Sequence, residues 1–203
     1  IACAETMTAW VLVPVLRDWR RRFPDVELDL KEYTSADTML AALVAGHADI
    51  VVAPTPTKTD EHAEVLGGEE MVVVAAPGHR FARMDNVALK ELTDEPLVHY
   101  NAGNGLAGWL DEFAAQRGVT LPPPTLRTGS PRTAAQLAAA GMGVAIVPAS
   151  ALTPRPDGII RSFDPPECRA VVVIMAAPHD ALVRRFVADL KRRGLPAACV
   201  PPV

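Results

Sequence analysis

Four short stretches of this chain place hydroxyls, amides and small residues where an extended segment gives way to an amphipathic one. They are Glu5-Thr6-Met7-Thr8, Thr34-Ser35, Gly103-Asn104-Gly105 and Thr128-Gly129-Ser130. The start of a helix leaves backbone N–H groups without intrahelical acceptors, and the aligned peptide dipoles add partial positive charge there. Such junctions suit a carboxylate or another small anion, and Ser and Thr hydroxyls add hydrogen bonds. Taken singly, each hydroxyl reads as well as a plain helix cap. Four junctions of one kind favour a binding site, with Glu5, Thr6, Thr8, Thr34, Ser35, Asn104, Gly105, Gly129, Ser130 and Arg132 as its candidate residues. Arg132, at the start of the last helix in this set, is a candidate partner for Glu5 when no ligand is bound.

Other chemistries find no constellation. There is no G-x-S-x-G, and Ser130 lies between Gly129 and Pro131 without a nearby base, so a hydrolase triad is not indicated. Asn101–Gly105 lacks the Lys-Ser/Thr of a phosphate-binding loop. The five histidines are scattered, and Cys3, Cys168 and Cys199 form no CxxC, so neither a metal nor any other cofactor is expected. The same wide spacing predicts three free thiols in a cytoplasmic protein. With 20 Lys plus Arg against 24 Asp plus Glu, the 203-residue chain carries −4, a poor balance for gripping phosphate backbones. The runs Arg20–Arg22 and Lys191–Arg193 read as solvated helix faces. The longest apolar runs, Met71–Pro77 and Ala170–Pro178, fall far short of the roughly 20 residues that span a bilayer, and no export signal is seen. No membrane partner is expected.

The elements that must position the candidate residues alternate in period. Leu12, Val15, Leu16, Trp19 and Phe23 recur at helical steps and stop at Pro24; Trp10 lies off that stripe. Val26–Lys31 alternates as a half-buried strand does, and Ser35 is placed to cap a helix bearing Met39, Leu40, Leu43 and Val44. Asp49–Ala53 and Met71–Ala76 are short apolar strands, with a polar stretch from Thr55 to Glu64 between them. Strands are predicted at Leu97–Tyr100, Thr125–Thr128, Val144–Pro148, Ile159–Phe163 and Ala170–Ala177, and helices at Leu106–Gln116, Arg132–Ala140 and His179–Arg193. The tail from Pro196 is proline-rich and expected to be poorly ordered. The fold class is α/β.

Several segments, in order, resemble one family. Leu12-Val13-Pro14-Val15-Leu16 with Phe23-Pro24-Asp25-Val26, then Leu43-Val44-Ala45-Gly46-His47-Ala48-Asp49, are similar to the effector-binding domain of LysR-type transcriptional regulators. Ala76-Pro77-Gly78-His79-Arg80-Phe81-Ala82 and Ala139-Ala140-Gly141-Met142-Gly143-Val144-Ala145-Ile146-Val147-Pro148 continue the likeness. The resemblance implies a two-lobed, type 2 periplasmic-binding-protein-like fold with two hinge crossover strands. Lobe I would be 1–75 plus 177–203 and lobe II 76–176, with a small-molecule effector in the interlobe cleft. It also implies a homodimer or homotetramer that senses an effector, contacting DNA only through an N-terminal winged helix-turn-helix absent from these residues. Glu5 stands where the family commonly has a small hydroxyl residue, which favours a cationic or hydroxyl-rich effector over an anionic one. A solute-binding protein of a transport system shares the fold and is the alternative; an enzyme is disfavoured for want of a nucleophile–base or metal set.

Overall fold

The structure is a computed structural model that describes residues 1–55 and 63–196, together with the backbone of 198–199. In chain order the strands are β1 (Ala2–Ala4), β2 (Lys31–Tyr33), β3 (Ile50–Pro54), β4 (Glu64–Ala75), β5 (Asn86–Val87), β6 (Leu97–Tyr100), β7 (Leu126–Thr128), β8 (Val144–Pro148), β9 (Ile159–Met175) and β10 (Ala198–Cys199). The helices are α1 (Glu5–Met7), α2 (Val13–Arg22), α3 (Ala36–Val44), α4 (Gly105–Gln116), α5 (Pro131–Ala139) and α6 (Ala181–Arg193). The chain divides into two compact units, Ile1–Glu69 with Arg169–Val203, and Glu70–Cys168. Both changeovers fall inside the two longest strands, β4 and β9.

In the first unit β1 pairs in parallel with β2 and β3, and β3 pairs antiparallel with the Val171–Met175 end of β9. Parallel strands need apolar cover on both faces, and two clusters supply it. One packs Leu12, Val15 and Trp19 of the first helical run against Phe186, Val187 and Leu190 of α6. The other packs Met39 and Leu43 of α3 against Ala2, Val51 and Ile174. In the second unit β6 lies between β7 and β8, both parallel to it, and β8 runs antiparallel to Met71–Val74 of β4. Its core joins Val98, Leu110, Phe113, Ala138, Ile146 and Phe163. The sharp entry into β8 needs glycine: Gly143 has φ +137°, and a Cβ there would lie 2.5 Å from the Pro96 carbonyl oxygen.

Four readings of the sequence change in the structure. Helical backbone begins at Glu5 rather than Leu12, and a π-helical turn, Thr8–Leu12, joins α1 to α2. Pro14 explains the turn: it lacks an N–H, and its ring crowds the carbonyl four residues back. Widening the turn, so that the Val13 N–H donates to the Thr8 carbonyl five residues back, relieves that crowding. The alternating segment Val26–Lys31 enters a ladder only at Lys31; Val26, Leu28 and Leu30 pack on the first-unit core without strand partners. Ile159–Phe163 and Ala170–Ala177 are one 17-residue strand that runs through Pro165 and Pro166. At the tail, Ala198 and Cys199 pair with Glu69 and Gly68 of β4; most of the expected polar stretch, residues 56–62, and the tail from 200 lie outside the described residues.

The thiol expectation also fails. Cys168 is disulfide-bonded, whereas Cys3 is free and buried; the side chain of Cys199 lies outside the described residues. Wide sequence spacing carries no pairing signal, because the fold alone decides which cysteines meet. Thiol counting on denatured, non-reduced protein should therefore return one group, Cys3, rather than three. A count of three overturns the bond.

Candidate functional site

The first-unit candidates gather at the carboxyl ends of parallel strands. Ala4 stands opposite Tyr33 in the β1–β2 register, so Glu5 and Thr34 leave the sheet as neighbours. Thr6 is buried and Glu5 half-buried, while Thr34 is exposed. Thr8 is already engaged. Its hydroxyl donates to Glu32 Oε1 at 2.6 Å, and Cys3 Sγ lies 3.2 Å from the same oxygen. A hydroxyl has one proton, so with that proton on Glu32 the thiol is the donor in the second contact. Burial, reinforced by the Glu32 charge, pushes the Cys3 thiol up to about 11. Cys3 is thus a protonated core residue at neutral pH and no nucleophile.

Ser35 is the N-cap residue of α3, yet its side chain makes no capping bond. Its carbonyl accepts from Thr38 Oγ1 at 2.7 Å and from the Met39 N–H at 3.2 Å. Capping by the Ser35 hydroxyl, read from the sequence, is not made: the Ser35 carbonyl accepts the first intrahelical bond of α3, and its hydroxyl stays outside the helix ladder.

The second-unit candidates are tied together by one side chain. Asn104 Oδ1 accepts from the Leu106 N–H at 2.9 Å, and its Nδ2 donates to the Gly129 carbonyl at 2.8 Å. That pair of bonds sets the N-terminus of α4, where Gly105 is the first residue, beside the turn that opens α5. The β6–β7 register brings Asn101 to the same place, its N–H donating to the Thr128 carbonyl at 3.0 Å. Ser130 caps α5 by accepting from the Thr133 N–H at 3.4 Å, and Pro131 follows at a position whose missing N–H costs nothing. Arg132 is half-buried and donates to the Thr153 carbonyl. Immediately below, buried His99 lies across the ladder from Arg127, whose Nη1 donates to the Tyr100 carbonyl at 2.8 Å and fixes the end of β6.

The structure therefore brings Glu5, Thr6, Thr8, Thr34 and Ser35 together in one unit and Asn104, Gly105, Gly129, Ser130 and Arg132 in the other. Two neighbours escaped the sequence reading. Glu32 directly follows the alternating segment Val26–Lys31, and nothing in its spacing points to Thr8. Asn101 opens the turn Asn101–Gly105, and no feature of the sequence ties it to Thr128. No group of three or more metal-capable side chains occurs among the described residues, and none of their helices is long and apolar enough to cross a membrane.

Residues 1–194 match the family model of the LysR substrate binding domain. The chain belongs to that family. This LysR substrate-binding domain is 27% identical over 150 residues to the uncharacterized HTH-type transcriptional regulator YwqM of Bacillus subtilis, covering 73% of this chain and 50% of that protein. It spans 45–60% of the length of the first curated relatives it matches. Its fold is that of the CcmR regulatory domain of Synechocystis PCC6803 in complex with 2-PG, at a TM-score of 0.81 with 20% identity and 95% of each chain covered. It is likewise that of the effector-binding domain of QuiR in complex with shikimate, at 0.77 with 16% identity, covering 95% and 94%. The α/β, two-lobed expectation thus holds, and the regulator family takes the place of the transport alternative.

Proposed function

We propose that this LysR substrate-binding domain is the effector-sensing part of a cytoplasmic bacterial transcriptional regulator, which contacts DNA through a separate helix-turn-helix domain. In this reading the strand-end junctions of each unit supply residues that hold a small molecule. The long strands β4 and β9 are the hinge crossovers, and the assembled regulator is a homodimer or homotetramer. One observation carries the reading: Asn104 holds the N-termini of α4 and α5 side by side, an arrangement of convergent donors with no acid or base in catalytic register. Solved relatives carrying 2-PG and shikimate support small polar effectors as the ligand class. The domain binds and releases its effector unchanged. An effector acts by being bound better in one conformation than another, and a useful switch needs about 1–3 kcal/mol of such preference.

The test is a thermal-shift screen of small organic acids, polyols and amines, followed by calorimetry on the hits. Ser130→Ala combined with Thr6→Val should raise the dissociation constant of a hit about tenfold or more, since each lost hydrogen bond is worth roughly 0.5–1.5 kcal/mol. Losing the Ser130 cap of α5 should cost about 1 kcal/mol, a fall of a few degrees in melting temperature, with the fold retained. A double variant with full affinity, or a ligand recovered chemically altered, overturns the reading.

A further inference from the structure

Two arginine runs that look like separate solvated faces in the sequence meet in the fold. Trp19 of α2 packs on Phe186 of α6 edge to face, with ring centroids 5.0 Å apart, and its Nε1 donates to Asp189 at 2.8 Å. The two helices thereby lie side by side in the first unit. Together they carry nine cations, Arg17 and 20–22 on α2 with Arg184, Arg185 and 191–193 on α6, against the two carboxylates Asp18 and Asp189. All nine are exposed. The pair of helices is therefore at +7 in a chain at −4, which leaves −11 on everything else.

Helix stability explains only part of this. The last turns of both helices gain from cations because they face the negative end of the dipole. Arg184 and Arg185 sit near the start of α6, where a positive charge opposes the dipole; the carboxylate at that end, the N-cap Asp180, is engaged by the Leu182 and Val183 N–H groups. Asp18 engages Arg21 at 2.9 Å, Asp189 engages Arg22 and Arg192, and Glu64 engages Lys191. Arg20, Arg184, Arg185 and Arg193 have no carboxylate within ion-pair distance among the described residues. Four uncompensated guanidinium groups on a surface roughly 15–20 Å long lie within two or three screening lengths of one another.

We propose that the α2/α6 face is a docking surface for the phosphate backbone of duplex DNA. A duplex offers about one negative charge per 1.7 Å, a denser and more regular array than a protein surface, and planar guanidinium groups bond phosphate oxygens in pairs. Contact by the isolated domain is weak and sequence-blind, with a dissociation constant on the order of 10–100 μM at low salt. In a regulator anchored on DNA by another domain, a premise that rests on the reading above, the tether supplies an effective concentration of about a millimolar, enough to keep such a contact occupied. The contact would help set how the sensing domain lies against its DNA.

The test is fluorescence anisotropy of a labelled duplex of arbitrary sequence with the isolated chain. With three to four phosphates engaged, affinity should fall about 60-fold between 50 and 200 mM salt. Arg20→Glu/Arg184→Glu/Arg185→Glu should abolish measurable binding, while the equal charge change Arg83→Glu/Lys90→Glu/Arg155→Glu in the other unit should alter it less than threefold. Should the reversed patch melt early, the Gln versions of the same three substitutions should still weaken binding about tenfold. Absence of binding by the parent at 50 mM salt overturns the proposal, as do equal losses in patch and control variants. Displacement by a polyglutamate peptide at the same charge concentration as unlabelled duplex also overturns it, in favour of an acidic protein partner. Effector affinity, measured on the patch variant alongside, bears on the sensing role alone.

Discussion

Glu69→Ala is expected to lower the unfolding free energy by about 3–5 kcal/mol, the range for breaking one side of a buried ion pair. Glu69 is fully buried, and Arg169 reaches its Oε2 through Nε at 3.1 Å and Nη2 at 2.8 Å with a side chain only 11% exposed. Truncation removes the carboxylate and leaves the guanidinium out of water without its partner. For a chain of this size that is a fall of about 10 °C in melting temperature. Glu69→Leu with Arg169→Leu should recover most of the loss, because it removes both desolvation penalties together. A loss below about 1 kcal/mol in the single variant would show that water reaches the pair. The residues sit where both long strands leave the first unit, and β10 pairs with Glu69 through its backbone, so the ion pair fixes the register of the segments on which the proposed hinge depends.

What was legible in the sequence was local. The opening of α5 could be read because Ser130 and Pro131 are consecutive and each has one dominant use at a helix start. Gly141 and Gly143 likewise announce the turn into β8, since only glycine takes the positive φ required there. Apolar runs such as Val144–Val147 had to be buried strands whatever they paired with. The misreadings came where distant residues decide. A π-turn is invisible to a 3.6-residue period, and the effect of Pro14 shows only once the helix is followed back to Glu5. Pro165 and Pro166 looked like a break, yet β9 continues through them. At the candidate site, spacing identified the four junctions because hydroxyls and glycines cluster there. It could not show that the Thr8 hydroxyl is spent on Glu32, or that Asn104 binds the Gly129 carbonyl across 25 residues of sequence. The family likeness lent order to these pieces, whereas the hydrogen-bond partners had to come from three dimensions.

Asp189→Ala should be the other strongly destabilising substitution, at about 2–4 kcal/mol, and its cost can be divided between two causes. Asp189 is buried on α6, accepts from Trp19 Nε1 at 2.8 Å and holds Arg22 Nη1 at 2.9 Å. The indole is 1% exposed, so losing its acceptor strands a buried N–H, which costs roughly 1–3 kcal/mol. Arg22 and Arg192 are 40% and 70% exposed and can turn to water, so their share is smaller. Asp189→Asn keeps an oxygen that can accept from the indole while removing the charge, and should therefore lose only about 1 kcal/mol. Thermal melts of the two variants, with Trp19 emission followed in a background lacking Trp10 and Trp109, would separate the causes. Equal losses in Ala and Asn variants would mean that the charge, rather than the indole bond, joins α2 to α6. A red-shifted Trp19 in the Ala variant alone would mean that the indole bond does. Either result matters to the cationic face, because those two helices keep their arginines together only while Asp189 and the Trp19–Phe186 contact hold them in place.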